Sequence, residues 1–258
     1  MKREIHAEWT KLRTLAGTGW VLLAIPVLTV ALGAAAGAAT TCASARCNHD
    51  VVKLALTGVQ LSQVVVAVLA VLAITGEHTT GLIRTTFTAM PRRFTVLGAK
   101  AAVLAGPTLV AAIAGVLGSV LAGRLILPGR GFTPAHGYPL LSLTDGLVLR
   151  AAAGSVLYLT LIAVLCLGVA AIVRDSAAAM GVVLGLFYLF PILIHLVSDP
   201  DWQRLLFRIS PTNAGLAIQS SMNLDLLPIG PWPGLGVLAA WAAAALLAGG
   251  LLVRLRDV

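Results

Sequence analysis

The chain has 258 residues, 59% hydrophobic and 11% charged, with a mean hydropathy of +0.96. That composition excludes an ordinary soluble domain, since a core of this size cannot bury so many apolar side chains. The formal net charge of +8 then belongs to basic flanks at a membrane face, and the lipid bilayer, not nucleic acid, is the expected partner.

The leader MKREIHAEWTKLRTLA comes first. Ile5, Trp9, Leu12 and Ala16 recur at helical spacing, with Lys2, Arg3, Glu8, Lys11 and Arg13 between them. This pattern predicts a helix over residues 1–16 lying in the headgroup plane, Trp9 at the interface and Lys11 and Arg13 toward anionic lipid. The leader carries Glu4 and Glu8, and the apolar run after it is long for a signal peptide, so an uncleaved first crossing is expected.

A bilayer core takes about 20 apolar residues per helix. Six runs meet that length, at 17–39, 54–75, 96–127, 147–173, 177–197 and 233–253. The expected fold class is therefore all-α, a six-helix polytopic membrane protein forming one domain over residues 1–258. The third run is long enough to tilt or to emerge from the membrane. Only Arg174, Asp175 and Ser176 separate the fourth and fifth. Eleven of the 18 Lys and Arg residues fall on the side that holds both termini, and the ten acidic residues divide evenly. The positive-inside rule places both termini in the cytoplasm.

Cys42 and Cys47 flank four residues of the polar segment TTCASARCNHD, while Cys166 lies in an apolar run. With His49 this segment offers at most three zinc ligands at an unusual spacing, so no metal is expected. The two cysteines either close a small disulfide loop or stand as free thiols.

The stretch GEHTTGLIRTTFTAMPRR, residues 76–93, follows the second run. Gly76 and Gly81 bracket a break after the transmembrane helix. A short helix over 80–90 is predicted, with Thr80 as N-cap and Pro91 as its stop. Leu82, Ile83, Thr86, Phe87 and Met90 share one face. Its length of roughly 15 Å is too short to span a bilayer and sufficient to fill a groove on a partner. Arg92 and Arg93 then hold the next crossing at the inner face. The segment 76–95 is read as a cytoplasmic coupling loop.

Between the fifth and sixth runs, the loop 199–232 contains two helix-like pieces, 201–209 and 213–222, broken by Ser210 and Pro211. Trp202, Leu205, Leu206 and Ile209 share a face of the first piece. Neither piece spans a membrane; they dip into it as a re-entrant pair or lie on its surface.

Catalytic chemistry finds no footing. Glu77 precedes a lone His78 without the second histidine of a zinc protease, and no serine is singled out beside a histidine base. His195, near the end of the fifth run, is close enough to Asp199 to snorkel or pair there. No paired intramembrane carboxylates suggest ion coupling. None of the four lysines follows a glycine, so the chain lacks a P-loop. Gly33/Gly37 and Gly181/Gly185 have the G-x-x-x-G spacing of close helix contacts.

On EWTKLRT at residues 8–14, on EHTTGLIRTTFTAMPRR at 77–93 followed by Lys100, and on the plan of six crossings, the chain resembles the ABC transporter type-2 permease family in its actinobacterial form. The resemblance covers essentially the whole chain. It implies the membrane subunit of an ABC exporter in a bacterial plasma membrane, without cofactor or catalytic residues of its own. ATP and Mg would sit on a partner ATPase dimer, beside a second permease subunit, identical or related. The segment 80–90 would be the coupling helix in a cleft of that ATPase, with Glu77, Gly81 and Arg84 shaping the contact. Leu82, Phe87, Met90, Arg92 and Arg93 complete the docking set. The pair 201–209 and 213–222 would be external helices. Cys42 and Cys47 fall outside the family pattern. The expected substrate is amphipathic, a drug, peptide or lipid; the alternative is a membrane-embedded binding or immunity protein without transport.

Overall fold

In lipid, apolar helices gain little from hiding apolar surface; small residues and isolated polar side chains decide which helix packs on which. The computed structural model describes residue 10 and residues 16–42, 47–79 and 93–256. Among these, all regular structure is helical. The elements are α1 (Ala16–Ala39), α2 (Val51–Ala55), α3 (Gly58–Thr79), α4 (Arg93–Ile126) and α5 (Gly146–Val173). They continue with α6 (Ser176–Leu184), a π turn (Gly185–Leu189), α7 (Phe190–Leu196), α8 (Pro200–Ile209), α9 (Pro211–Leu216) and α10 (Pro231–Arg256). Six helical units are long and apolar enough to cross a membrane: α1, α3, α4, α5, α6 with its continuation, and α10.

Helix boundaries follow local chemistry. The second crossing begins at Gly58, later than the expected residue 54. The Asp50 side chain accepts from Lys53 N at 3.1 Å and caps α2 as a separate short helix. The chain then turns through Leu56 and Thr57, and Gly58 lies so close to α1 that a Cβ there would meet Thr29 O at 2.1 Å. Helix α4 has 34 residues, about 51 Å at 1.5 Å per residue, which exceeds a ~30 Å hydrocarbon core. Between α5 and α6 two residues reverse the chain. Arg174 adopts φ 65° and Asp175 caps α6 by accepting from Ala178 N at 2.8 Å.

The fifth crossing is interrupted. At the π turn the Phe190 N–H donates to Gly185 O, five residues back, and Pro191 follows without an N–H of its own. Tyr188 on this turn reaches α3, its hydroxyl donating to Gln60 O at 3.3 Å.

Helix α5 is the centre of the bundle, packed against α3, α4 and α10, with Tyr158, Leu159, Ile162 and Ala163 fully buried. Helix α1 packs on α3 and α4 around three buried hydroxyls. Ser119 donates to Thr29 O at 2.8 Å, and the Thr29 and Ser62 hydroxyls meet at 2.7 Å. Gly33 allows this approach, since a Cβ there would lie 2.4 Å from Ala55 O and 2.7 Å from Ser119 Oγ. The Gly181/Gly185 pair borders open space instead.

Residues 40–42 and 47–57, the connection 127–145 and residues 220–230 meet at one end of the bundle, the looped end. Cys42 N donates to Arg130 O at 2.8 Å. The Phe132 ring stands edge-on to Tyr138, with centroids 5.2 Å apart, and to His49 at 6.3 Å.

Candidate functional site

The stretch singled out for docking falls largely outside the described residues. Gly81, Leu82, Arg84, Phe87, Met90 and Arg92 lie outside them, as do Trp9, Lys11 and Arg13 of the leader. Glu77 and Arg93 belong to α3 and α4, with their side chains outside the described set. Cys42 and Cys47 are joined by a disulfide, and Cys166 is a buried free thiol.

Between the fifth and sixth crossings the chain builds a helical hairpin from two proline-started helices. Asp199 caps α8 by accepting from Asp201 N at 2.8 Å, and Ser210 caps α9 by accepting from Asn213 N at 3.3 Å. Pro200 and Pro211 take first-turn positions, where the missing N–H costs no hydrogen bond. The second helix is shorter than the expected 213–222: α9 ends at Leu216 and a 3-10 turn carries the chain to Gln219. Ser220 leaves helical geometry at ψ 127°.

The contacts define the hairpin's path. Trp241, ten residues into α10, donates its indole N–H to Ile209 O at 2.9 Å. That point is about 15 Å along α10 from its start. From there α9 climbs back between α5 and α10. Gly215 lies against Tyr158 and Leu238, Ile218 against Gly154, and Ala214 O against Gly234. A Cβ on Gly154 would come 1.9 Å from Ile218 Cγ1, and one on Gly234 would come 2.0 Å from Ala214 O. Gly154 of α5 and Gly234 of α10 make the groove for this arm of the hairpin, and Gly215 of α9 lets it close on Tyr158 and Leu238. Helix α8 stays on the outside, with Trp202, Leu205 and Ile209 exposed and Arg208 Nε donating to Pro228 O at 2.6 Å.

One buried anchor holds the hairpin to α5: fully buried Gln219 donates from Nε2 to Ser155 Oγ at 3.0 Å. Beneath it, the buried Tyr158 hydroxyl ties α5 to α3 by donating to Gln63 Oε1. At the exit, charge of both signs grips residues 220–222. The Arg150 guanidinium donates to Ser220 O; the Asp50 carboxylate accepts from Ser221 N, from Ser221 Oγ at 2.6 Å and from Met222 N at 3.1 Å. An anion takes the exposed amides and a cation takes the carbonyl, so the loop's backbone groups are satisfied by fixed charges. A cleft of about 310 Å³ opens beside this clamp, lined by Asn48, Lys53, Asn223 and Leu226.

An open apolar groove of about 460 Å³ lies among α5, the π-turn segment and α10, lined by Leu165, Val169, Leu186, Leu193 and Trp241. Among the described residues no cluster of three His, Cys, Asp or Glu is placed to hold a metal ion. The arrangement packs helices on one another through the polar contacts named above, while Arg150 Nε and Gln219 Oε1 are buried without a hydrogen-bond partner among the described residues.

Asp50, Gln63, Arg150, Ser155, Tyr158 and Gln219 were not among the residues singled out by sequence. Gln63 and Tyr158 did carry a signal, as polar side chains in apolar runs. Asp50 carried none, because its partners lie 171 and 172 residues away. Compared with protein-family models and with curated proteins, the chain matches none.

Proposed function

We propose that this chain is the membrane permease subunit of an ATP-driven exporter of the ABC type-2 permease kind, acting with a separate ATPase. The observation that supports this reading is the hairpin of α8 and α9. It folds back beside α5 and α10 in the interval between the fifth and sixth crossings, where the resemblance implies an external helix pair. The looped end is then the outer face, and both termini, the Arg174–Asp175 turn and the 76–95 loop face the cytoplasm of a bacterial cell.

In this reading the 80–90 segment docks on the ATPase. ATP-driven closure of two ATPase subunits moves that segment together with α3 and α4, which flank it. Movement passes through the α3–α5 contact at Gln63 and Tyr158 to the hairpin seated on α5 and α10. An amphipathic substrate is passed outward along surfaces that are mainly apolar.

The test is co-purification. Charge reversal at Arg84 and Arg92 is expected to reduce recovery of a partner ATPase with the tagged chain from its native membrane, while the variant still inserts into the membrane. Undiminished recovery would remove the docking assignment. Absence of any ATPase bound to the unaltered chain would favour a binding or immunity protein without transport.

A further inference from the structure

The disulfide stands two residues from the clamp on the hairpin, and no part of the transport reading uses it. Cys42 is fixed on one side. Its N–H donates to Arg130 O at 2.8 Å, and its own carbonyl lies where a Cβ on Gly131 would come within 2.1 Å. Gly131 holds φ +89° after the 3-10 turn Pro128–Arg130, so no side chain intervenes between the two loops. Cys42 is buried and Cys47 half-buried.

From Cys47, Asn48 and His49 lead to Asp50, and Asp50 is the residue that accepts from Ser221 N, Ser221 Oγ and Met222 N. The S–S bond thus ties the clamp's carboxylate to the anchored Cys42 and shortens the tether between α1 and α2. Opening it removes the cross-link between Cys42 and Cys47, and the clamp must then oppose the added chain entropy alone. The His49–Phe132 edge contact and the packing of α2 remain, so the clamp loosens without being lost.

We infer that the Cys42–Cys47 disulfide is a redox-controlled latch on the hairpin's exit: oxidised, it holds Asp50 on residues 220–222; reduced by a dithiol, it lets that exit loosen. A thiolate of the dithiol attacks the half-buried Cys47 Sγ, the S–S bond breaks, and Cys42 Sγ leaves as a thiolate that takes up a proton. The dithiol's second thiol, as its thiolate, displaces Cys47, which also gains a proton. Two electrons pass to the cysteine pair and the dithiol becomes a disulfide. The latch is independent of the transport reading, because its readout is the protection of two amides.

The experiment follows hydrogen exchange in the full chain in lipid nanodiscs, before and after dithiothreitol, with thiol content read by mass. Reduction is expected to speed exchange at the Ser221 and Met222 amides several-fold and to leave residues 155–170 of α5 unchanged. Reoxidation is expected to restore the slow rate. Asp50→Ala marks the rate of the open clamp. The proposal is overturned if reduction leaves Ser221 and Met222 unaffected, if Asp50→Ala itself leaves them slow, or if the disulfide survives dithiothreitol. The double variant Cys42→Ser, Cys47→Ser should match the reduced protein; should it fail to fold, reduction of the unaltered chain still decides the matter.

Discussion

The Tyr158 hydroxyl, fully buried in α5, donates to Gln63 Oε1 of α3, so the second and fourth crossings are joined by a buried hydrogen bond. Removing either partner alone orphans the other. Tyr158→Phe leaves the Gln63 amide short of a partner, and Gln63→Leu leaves the phenol orphaned. Each single change is expected to cost about 1–2 kcal/mol, and the double change less than the sum, because both polar groups are then gone. Reversible unfolding in mixed micelles, run as a double-mutant cycle, checks this. Additive costs would show that the pair is not coupled.

The glycines under α9 predict two different outcomes for the same substitution. In Gly154→Ala the new methyl meets Ile218 Cγ1, a side-chain atom. In Gly234→Ala it meets the Ala214 carbonyl oxygen, backbone that cannot rotate away. Both changes are expected to destabilise by about 1–3 kcal/mol. Ile218→Ala should rescue Gly154→Ala, and no truncation on α9 should rescue Gly234→Ala. Thermal unfolding of Gly154→Ala and Gly234→Ala, each alone and each combined with Ile218→Ala, separates the cases; equal rescue of both would contradict the assigned contacts.

The hydroxyl cluster of the first, second and third crossings is expected to tolerate more. Thr29→Val keeps the volume and removes the bond to Ser62. Ser62 Oγ retains Ile25 O at 3.4 Å as an acceptor, so nothing is left unsatisfied. The expected cost is about 0.5–1 kcal/mol, near the average measured for hydrogen bonds between membrane helices. Ser62→Val, by contrast, adds a branch at a fully buried position between α1 and α3 and should cost more. The same unfolding assay ranks the two.

Much of the architecture was legible because it rests on local rules. Six apolar runs of sufficient length become six helical units suited to a membrane, and Ser210-Pro211 does break the segment after the fifth. The separate helix α2 was hidden, since nothing near residue 54 announces that Asp50 caps a five-residue helix and that Gly58 must touch α1. The π turn was hidden too. Pro191 is visible as a kink residue, but the fifth-residue hydrogen bond to Gly185 is a property of the folded helix. The clamp at residues 220–222 is the least legible feature, because Asp50, Arg150 and Ser221 belong to segments far apart in the chain. Cys42 and Cys47 showed a spacing compatible with a disulfide or with free thiols; the fold brings their Cα atoms to 5.7 Å.

Trp241 offers the sharpest check on whether the hairpin dips into the membrane. Its indole meets the carbonyl that ends α8, about 15 Å along α10, which is half the thickness of a ~30 Å hydrocarbon core. It also borders the open apolar groove beside the π turn. If the hairpin is re-entrant, this indole lies near mid-bilayer; if α8 rests on the surface, Trp241 lies at headgroup level. The other tryptophans, Trp9, Trp20, Trp202 and Trp232, are replaced by phenylalanine to leave one reporter. Lipids brominated deep in the acyl chain are expected to quench its fluorescence more strongly than lipids brominated near the carbonyls. Stronger quenching from the shallow position would place α8 and α9 on the membrane surface and rule out the re-entrant alternative. Trp241→Phe in the otherwise unaltered chain should cost about 1 kcal/mol, the loss of one hydrogen bond to the end of a helix.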